Sequence, residues 1–270
     1  MPSPSPGRTG PAPTGLLAGR KALVTGAARG IGLATARRFC EEGAAVALSD
    51  VLPEVEQAAG ELREAGHSAV AVPFDVTDEA AVETGVAEAR QRLGGLDTLV
   101  ANAGVFLDAP LLETEPADFR RVLEINLVGV FLCTRQAGRL FAEQGHGTIL
   151  ATASQAGRHG YAGLGAYCAS KFGVIGLVES LAKELGPRGV RVCCVAPGMI
   201  DTAMLDQVVA GRMARTGESQ SEAEQRLARL VPAGRVGAPE DVAAAFVCLA
   251  SGLAGFVSGA TLVVDGGEGP

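Results

Sequence analysis

The sequence predicts an α/β protein: one doubly wound domain on a seven-stranded parallel sheet, with helices on both faces. Three observations carry the prediction. Short apolar runs alternate with longer amphipathic ones along nearly the whole chain, which implies βαβ units with right-handed crossovers. The short runs are continuously hydrophobic, as in Val190-Arg191-Val192-Cys193-Cys194-Val195, and this suits strands covered on both faces. A length of 270 residues at 47% hydrophobic content fits one large core better than two small ones.

Taken in order, residues 1–17 are expected to form a disordered tail and 18–270 the single domain. Pro2, Pro4, Pro6, Pro11 and Pro13 stand there among Ser, Gly and Thr, a composition that buries too little apolar surface to order itself. The segment lacks the basic start and continuous apolar stretch of a secretory leader. Strands are then expected at 21–25, 45–49, 68–73, 98–101, 147–151, 190–195 and 261–264, with helices near 30–42, 53–65, 78–92, 116–143, 165–186 and 239–250. The interval 198–237 differs. Its helical pattern (202–215 and 221–230) is weak and polar, which suits an excursion over the sheet edge. Residues 242–264 carry no charge, yet Ser251-Gly252, Gly255 and Ser258-Gly259 break the run into a buried helix and a buried strand rather than a membrane span.

Charge and cysteine usage narrow the function classes. A net charge of −7 and a pI near 5.1 leave no basic stripe with which to displace counterions from nucleic-acid phosphates. The six cysteines form no Cys-x-x-Cys pair, and the three histidines have no metal-ligand spacing. A cytoplasmic protein with reduced thiols and no metal is expected.

Chemistry enters at the end of the first strand, where Thr25-Gly26-Ala27-Ala28-Arg29-Gly30-Ile31-Gly32 opens a helix. A glycine turn there lets the backbone approach a pyrophosphate, and the helix N-terminus offers it free N–H groups. Asp50 closes the second strand, where a carboxylate accepts hydrogen bonds from the hydroxyls of an adenosine ribose and repels a 2′-phosphate. Arg29 pulls the other way, because a guanidinium pairs with that phosphate. The balance favours NAD over NADP. Further along, Tyr167 and Lys171 stand four residues apart, with Ser154 thirteen residues upstream of the tyrosine. On a helix the two share a face, so the ammonium can favour the phenolate of a group whose ordinary pKa is about 10. An i, i+4 pair alone means little, and it gains weight from the glycine turn and Asp50.

With these motifs in order, the chain resembles the short-chain dehydrogenase/reductase family from about Gly19 to Gly267. Asp75-Val76, Asn102-Ala103-Gly104, Asn126, Pro197-Gly198 with Thr202, and Val264-Asp265-Gly266-Gly267 match as they stand. Ala101 departs from the asparagine the family often has there. The resemblance implies a Rossmann fold and assigns roles residue by residue. Gly26, Arg29, Gly30, Ile31 and Gly32 would hold the pyrophosphate; Asp75 and Val76 would hold the adenine. Asn102, Ala103 and Gly104 would line the cofactor cleft, and Pro197, Gly198, Ile200 and Thr202 would fix the nicotinamide. Tyr167 would be the acid/base, Lys171 would lower its pKa and bind the nicotinamide ribose, Ser154 would polarise the substrate oxygen, and Asn126 would hold a water of a proton relay.

Ligands of such sheets lie beyond the carboxyl ends of the strands. The substrate would therefore meet Ser154, Gln155, His159, Tyr161, Met199 and Met204, in a pocket drawn from 105–110, 155–165 and 199–232 that Phe106, Leu107, Leu164 and Leu205 make mostly apolar and suited to a small or cyclic secondary alcohol. The expected activity is interconversion of a secondary alcohol and a ketone with NAD(H). An NADPH-dependent 3-oxoacyl ketoreductase of fatty-acid or polyketide type is the alternative, and a dinucleotide-sensing scaffold without catalysis is a third reading that the intact Ser154, Tyr167, Lys171 and Asn126 disfavour. Small and apolar residues in Phe172-Gly173-Val174-Ile175-Gly176-Leu177 suggest a helix-to-helix subunit contact, and the resemblance implies a homotetramer.

Overall fold

The computed structural model describes residues 15–269. Seven parallel strands form one sheet: β1 (Lys21–Thr25), β2 (Ala45–Ser49), β3 (Ala69–Ala71), β4 (Thr98–Ala101), β5 (Gly147–Thr152), β6 (Val190–Pro197) and β7 (Thr261–Val264). Their spatial order is β3-β2-β1-β4-β5-β6-β7. The chain winds outward from β1 to β3, returns, and winds the other way from β4, so the order reverses between β1 and β4. Crevices open beyond the carboxyl ends of strands at such a reversal.

Strand alternation divides the core in two. Ala22, Val24, Val46, Leu48, Leu150 and Val195 face one layer, built from α1 (Gly30–Glu41), α2 (Glu54–Glu64) and α9 (Pro239–Ala250), with Phe39 and Phe246 at its centre. Leu23, Ala47, Leu99, Ile149 and Cys194 face the other layer, built from α3 (Glu79–Leu93), α5 (Gly129–Gln144) and α6 (Gly165–Leu185), filled by Phe141, Val174 and Val178. Both faces are thus dry, and the strands need the continuous hydrophobicity seen in the sequence.

Three expectations are corrected. Of the tail assigned to residues 1–17, the first fourteen lie outside the described residues, but Leu17 is a core residue at 1% exposure. Its amide donates to the Glu42 carbonyl at 3.0 Å, and that of Leu16 to the Glu42 carboxylate at 3.0 Å. Composition averaged over a proline-rich window hides one leucine that docks.

Next, the helix expected over 116–143 is α4 (Pro116–Leu123) and α5 joined through a π-helical turn at Glu124–Val128. The third strand is also shorter than expected.

The interval 198–237 holds two well-formed helices, α7 (Ala203–Thr216) and α8 (Gln220–Leu230), around a small core of Val209, Ala223 and Leu227. A capping box between Ser219 and Glu222 starts α8. The excursion is tied at its base, where the Gly237 amide donates to the Met199 carbonyl at 2.9 Å and the Asp201 amide to the Gly237 carbonyl at 2.8 Å. Among the described residues, no helix is long and apolar enough to cross a membrane.

Candidate active site

The glycine turn is held by contacts a side chain would break. Gly26 and Gly30 adopt φ of +65° and +57°, in the left-handed region that glycine enters at little cost. Thr25 Oγ1 accepts from the amides of Asn102 and Ala103 at 3.0 and 3.2 Å, and Asn102 Nδ2 donates to the carbonyls of Thr25 and Gly26 at 3.1 and 3.2 Å. The departure at Ala101 leaves this lacing of β1 to β4 intact. A Cβ on Gly32 would lie 2.0 Å from the Gly26 carbonyl oxygen, so Gly32 serves packing of the helix on the turn. Unlike the other glycines of the motif, it does not line the cleft. Arg29 begins α1 without a side-chain cap, which leaves the amides of the first turn free for an anion.

Asp50 lies beside this loop. One carboxylate oxygen accepts from the Ala28 amide at 3.0 Å and the other from the Leu52 amide at 3.1 Å. Each oxygen keeps acceptor capacity toward the cleft. Asp75 accepts from the backbone and hydroxyl of Thr77 at 2.9 and 2.8 Å, an Asx turn that fixes the loop after β3. Thr202 leans over the loop from the far side, its methyl carbon 3.5 Å from where a Gly30 Cβ would stand.

Together these residues line a cleft of about 1360 Å³ that also takes in Ile31, Val76, Gly104, Pro197, Gly198, Ile200, Ser154, Tyr167 and Lys171. Ordinary single-ligand pockets hold about 300–1,000 Å³, so there is room for two ligands side by side. The donor-rich turn, the free helix N-terminus and the acid at the end of β2 fit a dinucleotide.

On the opposite wall α6 presents Tyr167 and Lys171, both nearly fully buried at 7% and 3% exposure. The Tyr167 ring meets Phe106 edge-on at 5.2 Å, and its hydroxyl lies 3.8 Å from Met204 Sδ. Lys171 Nζ donates to the Thr152 carbonyl at 2.7 Å and stands 5.7 Å from the Tyr167 ring centre.

Burial pushes the Tyr167 phenol up to about 12, against a smaller downward pull from the Ser154 hydroxyl. Burial likewise brings the Lys171 ammonium down to about 8. Desolvation of the phenolate is thus the main cause that holds Tyr167 above its ordinary value.

Asn126 sits in the π-helical turn with no exposure. Its Oδ1 accepts from the Val105 amide at 2.8 Å, while Nδ2 donates to the Val105 carbonyl at 2.9 Å and to Ser170 Oγ at 3.1 Å. Ser170 in turn donates to the Tyr167 carbonyl at 2.7 Å. The side chain therefore pins the loop after β4 to the middle of α6, and the extra residue of the π turn accompanies its inward position.

Beyond this wall Gln155, Tyr161, Leu164, Met199 and Met204 also line the cleft. His159 is a correction, for it does not line the cleft. The 3₁₀ turn Gln155–Gly157 folds the chain back, and the His159 amide donates to the Gln155 carbonyl at 3.1 Å while its buried Nε2 has no hydrogen-bond partner among the described residues.

Two acids were missed. The Tyr161 hydroxyl donates to Gln155 Oε1 at 3.0 Å, and Gln155 Nε2 donates to the Asp265 carboxylate. Glu268 then lines the cleft from the turn that follows β7. Burial is the main cause that holds its carboxyl above the usual range, and Asp265 adds to it.

Comparison with known proteins agrees with this geometry. A family model described as enoyl-(acyl carrier protein) reductase matches residues 26–268. A cis-4-hydroxycyclohexanecarboxylate dehydrogenase from Sinomonas cyclohexanicum is 45% identical over 249 residues, covering 92% of this chain and 96% of the relative. The crystal structure of levodione reductase superposes with a TM-score of 0.87 at 34% identity, covering 92% of this chain and 97% of that one. A structure from Beutenbergia cavernae, described as an NAD(P) dependent gluconate 5-dehydrogenase with NADP bound at low occupancy, gives a TM-score of 0.86 at 36% identity and covers 94% and 99% of the two chains.

Proposed function

The chain belongs to the short-chain dehydrogenase/reductase family, and on that premise we propose that it interconverts a secondary alcohol and a ketone with NAD(H), using Tyr167 as general acid and base. The observation that carries this reading is the group of Ser154 with the buried Tyr167 and Lys171 on one wall of a cleft whose other wall is the glycine turn. A nicotinamide dinucleotide held there supplies the hydride acceptor for oxidation and the donor for reduction. Gly26, Arg29, Gly30 and Ile31 hold its phosphates, Asp50 its adenosine ribose, Asp75 and Val76 its adenine. Asn102, Ala103, Gly104, Pro197, Gly198, Ile200 and Thr202 position its reactive end.

Ser154 donates a hydrogen bond to the reacting oxygen and so fixes it beside the phenol. In reduction Tyr167, protonated at rest, gives its proton to the carbonyl oxygen as the alcohol forms. For oxidation the phenolate is needed, and the buried Lys171 ammonium and the Ser154 hydroxyl are the groups that favour it. Asn126 holds the Val105 loop against α6 and with it the placing of Lys171; a water relay from Lys171 past Asn126 to solvent belongs to the same proposal. The alternative ketoreductase reading is not favoured, since the Sinomonas relative is named for dehydrogenation of a hydroxycyclohexane carboxylate.

The test is a panel of secondary alcohols and ketones followed with both cofactors. Turnover with NAD at a kcat/KM roughly tenfold or more above that with NADP is expected, because Asp50 opposes a 2′-phosphate. Asp50→Asn, which removes the charge and keeps an acceptor for Ala28 or Leu52, should cut that ratio roughly tenfold. Equal use of the two cofactors by the unmutated protein would overturn the preference for NAD, with Arg29 and Arg37, which also line the cleft, then outweighing Asp50.

We further infer a homotetramer in the cytoplasm. Support for assembly comes from Phe131 and Phe172, large apolar side chains at 40% and 47% exposure on α5 and α6. All six cysteines are free thiols, which suits a reducing compartment. Sedimentation as a monomer would refute the tetramer.

A further inference from the structure

The turn after β7 places a charge at the substrate end that the chemistry of hydride transfer does not require. Around Ser154 and Tyr167 the cleft is lined by Val105, Phe106 and Arg121, which pairs with Asp118 at 3.7 Å, and, on the side of β5 to β7, by segments 155–164 and 199–208 and this C-terminal turn. Those segments present two charged side chains to the cleft, Asp201 and Glu268, and both are acids. Asp201 is exposed and screened by water, whereas Glu268 is half-buried.

Glu268 is also held in place. Its Oε2 accepts from the Met199 amide at 3.1 Å, and its own amide donates to the Asp265 carbonyl at 3.2 Å. A Cβ on Gly198 would stand 2.5 Å from Oε2, so the glycine at 198 makes room for the carboxylate. Asp265 anchors the turn by accepting from the amides of Gly267 at 2.9 Å and Gly269 at 3.1 Å and from Gln155, the residue after Ser154. Among the described residues, Glu268 Oε1 carries no such bond, which leaves a fixed acceptor on the cleft wall.

Resting on the functional reading above, we propose that Glu268 sets substrate specificity. Its carboxylate accepts a hydrogen bond from a second hydroxyl of the substrate and repels a substrate carboxylate, so the substrate class is a neutral diol or polyol. The inference departs from what the name of the Sinomonas relative would suggest, because that protein is named for a hydroxy acid. Two like charges meeting in a partly dry cleft oppose each other far more than in water, and a positioned acceptor discriminates between analogues with and without a hydroxyl.

The test compares cyclohexanol, trans-cyclohexane-1,2-diol and cis-4-hydroxycyclohexanecarboxylate on the full chain and on Glu268→Gln and Glu268→Ala. It reads the kcat/KM ratios of diol and of hydroxy acid to cyclohexanol within each protein, so that a partly misfolded variant does not alter the result. The unmutated protein should favour the diol and disfavour the hydroxy acid, each by roughly tenfold or more. Glu268→Gln, an acceptor without charge, should raise the hydroxy-acid ratio roughly tenfold and keep most of the diol ratio; Glu268→Ala should lose the diol preference. Turnover of cyclohexanol with ratios unchanged in the variants would overturn the role of Glu268 and leave the functional reading standing. No turnover of any of the three with either cofactor would overturn that reading and this inference with it.

Discussion

Tyr167→Phe is expected to lower turnover by roughly a thousandfold, within the range that a positioned general acid or base contributes. The substitution removes one oxygen and little else. Phenylalanine keeps the ring, and with it the edge-on contact to Phe106 and the fully buried setting on α6. Ser154 alone does not replace the lost group, because an aliphatic hydroxyl that accepts from the Ala156 amide at 3.1 Å is a poor proton donor to an alkoxide. NAD affinity should stay within about threefold of the unmutated value, since the phosphate-binding turn and Asp50 belong to the opposite wall of the cleft. Calorimetric titration with NAD and steady-state rates on the best alcohol read the two effects separately. Turnover within about tenfold of the unmutated protein would sink the mechanism.

The parts of this site that could be read in the sequence are those fixed by local spacing. Tyr167 and Lys171 share a helix face because helical period sets it, and the glycine turn follows the first strand because both lie in one stretch of twelve residues, 21–32. What the sequence hid depends on balance or on distance. The direction of the Tyr167 shift is set by burial against a smaller pull from the Ser154 hydroxyl, and only the packing of Phe106, Met204 and α6 supplies that burial. Asn126 looked like one residue of a long amphipathic helix, since a π turn inserts a single residue that barely disturbs a 3.6-residue period. His159 and Glu268 exchanged places for a related reason: a loop folds by its own turns, and no periodicity says which of its side chains face inward. Glu268 lies 114 residues beyond Ser154 in the chain and reaches the same cleft only because β5, β6 and β7 are neighbours in the sheet.

Gly32→Ala should abolish tight NAD binding and destabilise the fold together, although it adds one methyl to a residue outside the cleft. The new Cβ would stand 2.0 Å from the Gly26 carbonyl oxygen and 2.7 Å from both the Gly26 carbonyl carbon and Asn102 Nδ2. Two of those neighbours are backbone, so no rotamer change relieves the clash; α1 must move away from β1 or the turn must open. Gly26 cannot yield toward β4, because its own Cα position is packed so closely that a Cβ there would be 2.8 Å from the Ala103 Cα.

Overpacking of this kind costs about 1–3 kcal/mol, sometimes more. The displaced amides of the turn no longer converge on a pyrophosphate, and NAD affinity should fall roughly a hundredfold. Gly60→Ala in α2 provides the contrast. The nearest atom to a Cβ there is the flexible tip of Arg63 at 3.8 Å, so this helical glycine should accept alanine with a gain of about 0.5–1 kcal/mol and unchanged NAD affinity. Urea unfolding of the two variants and titration with NAD measure both quantities. A Gly32→Ala protein that binds NAD as the unmutated chain does would show that the dinucleotide is held somewhere other than this turn.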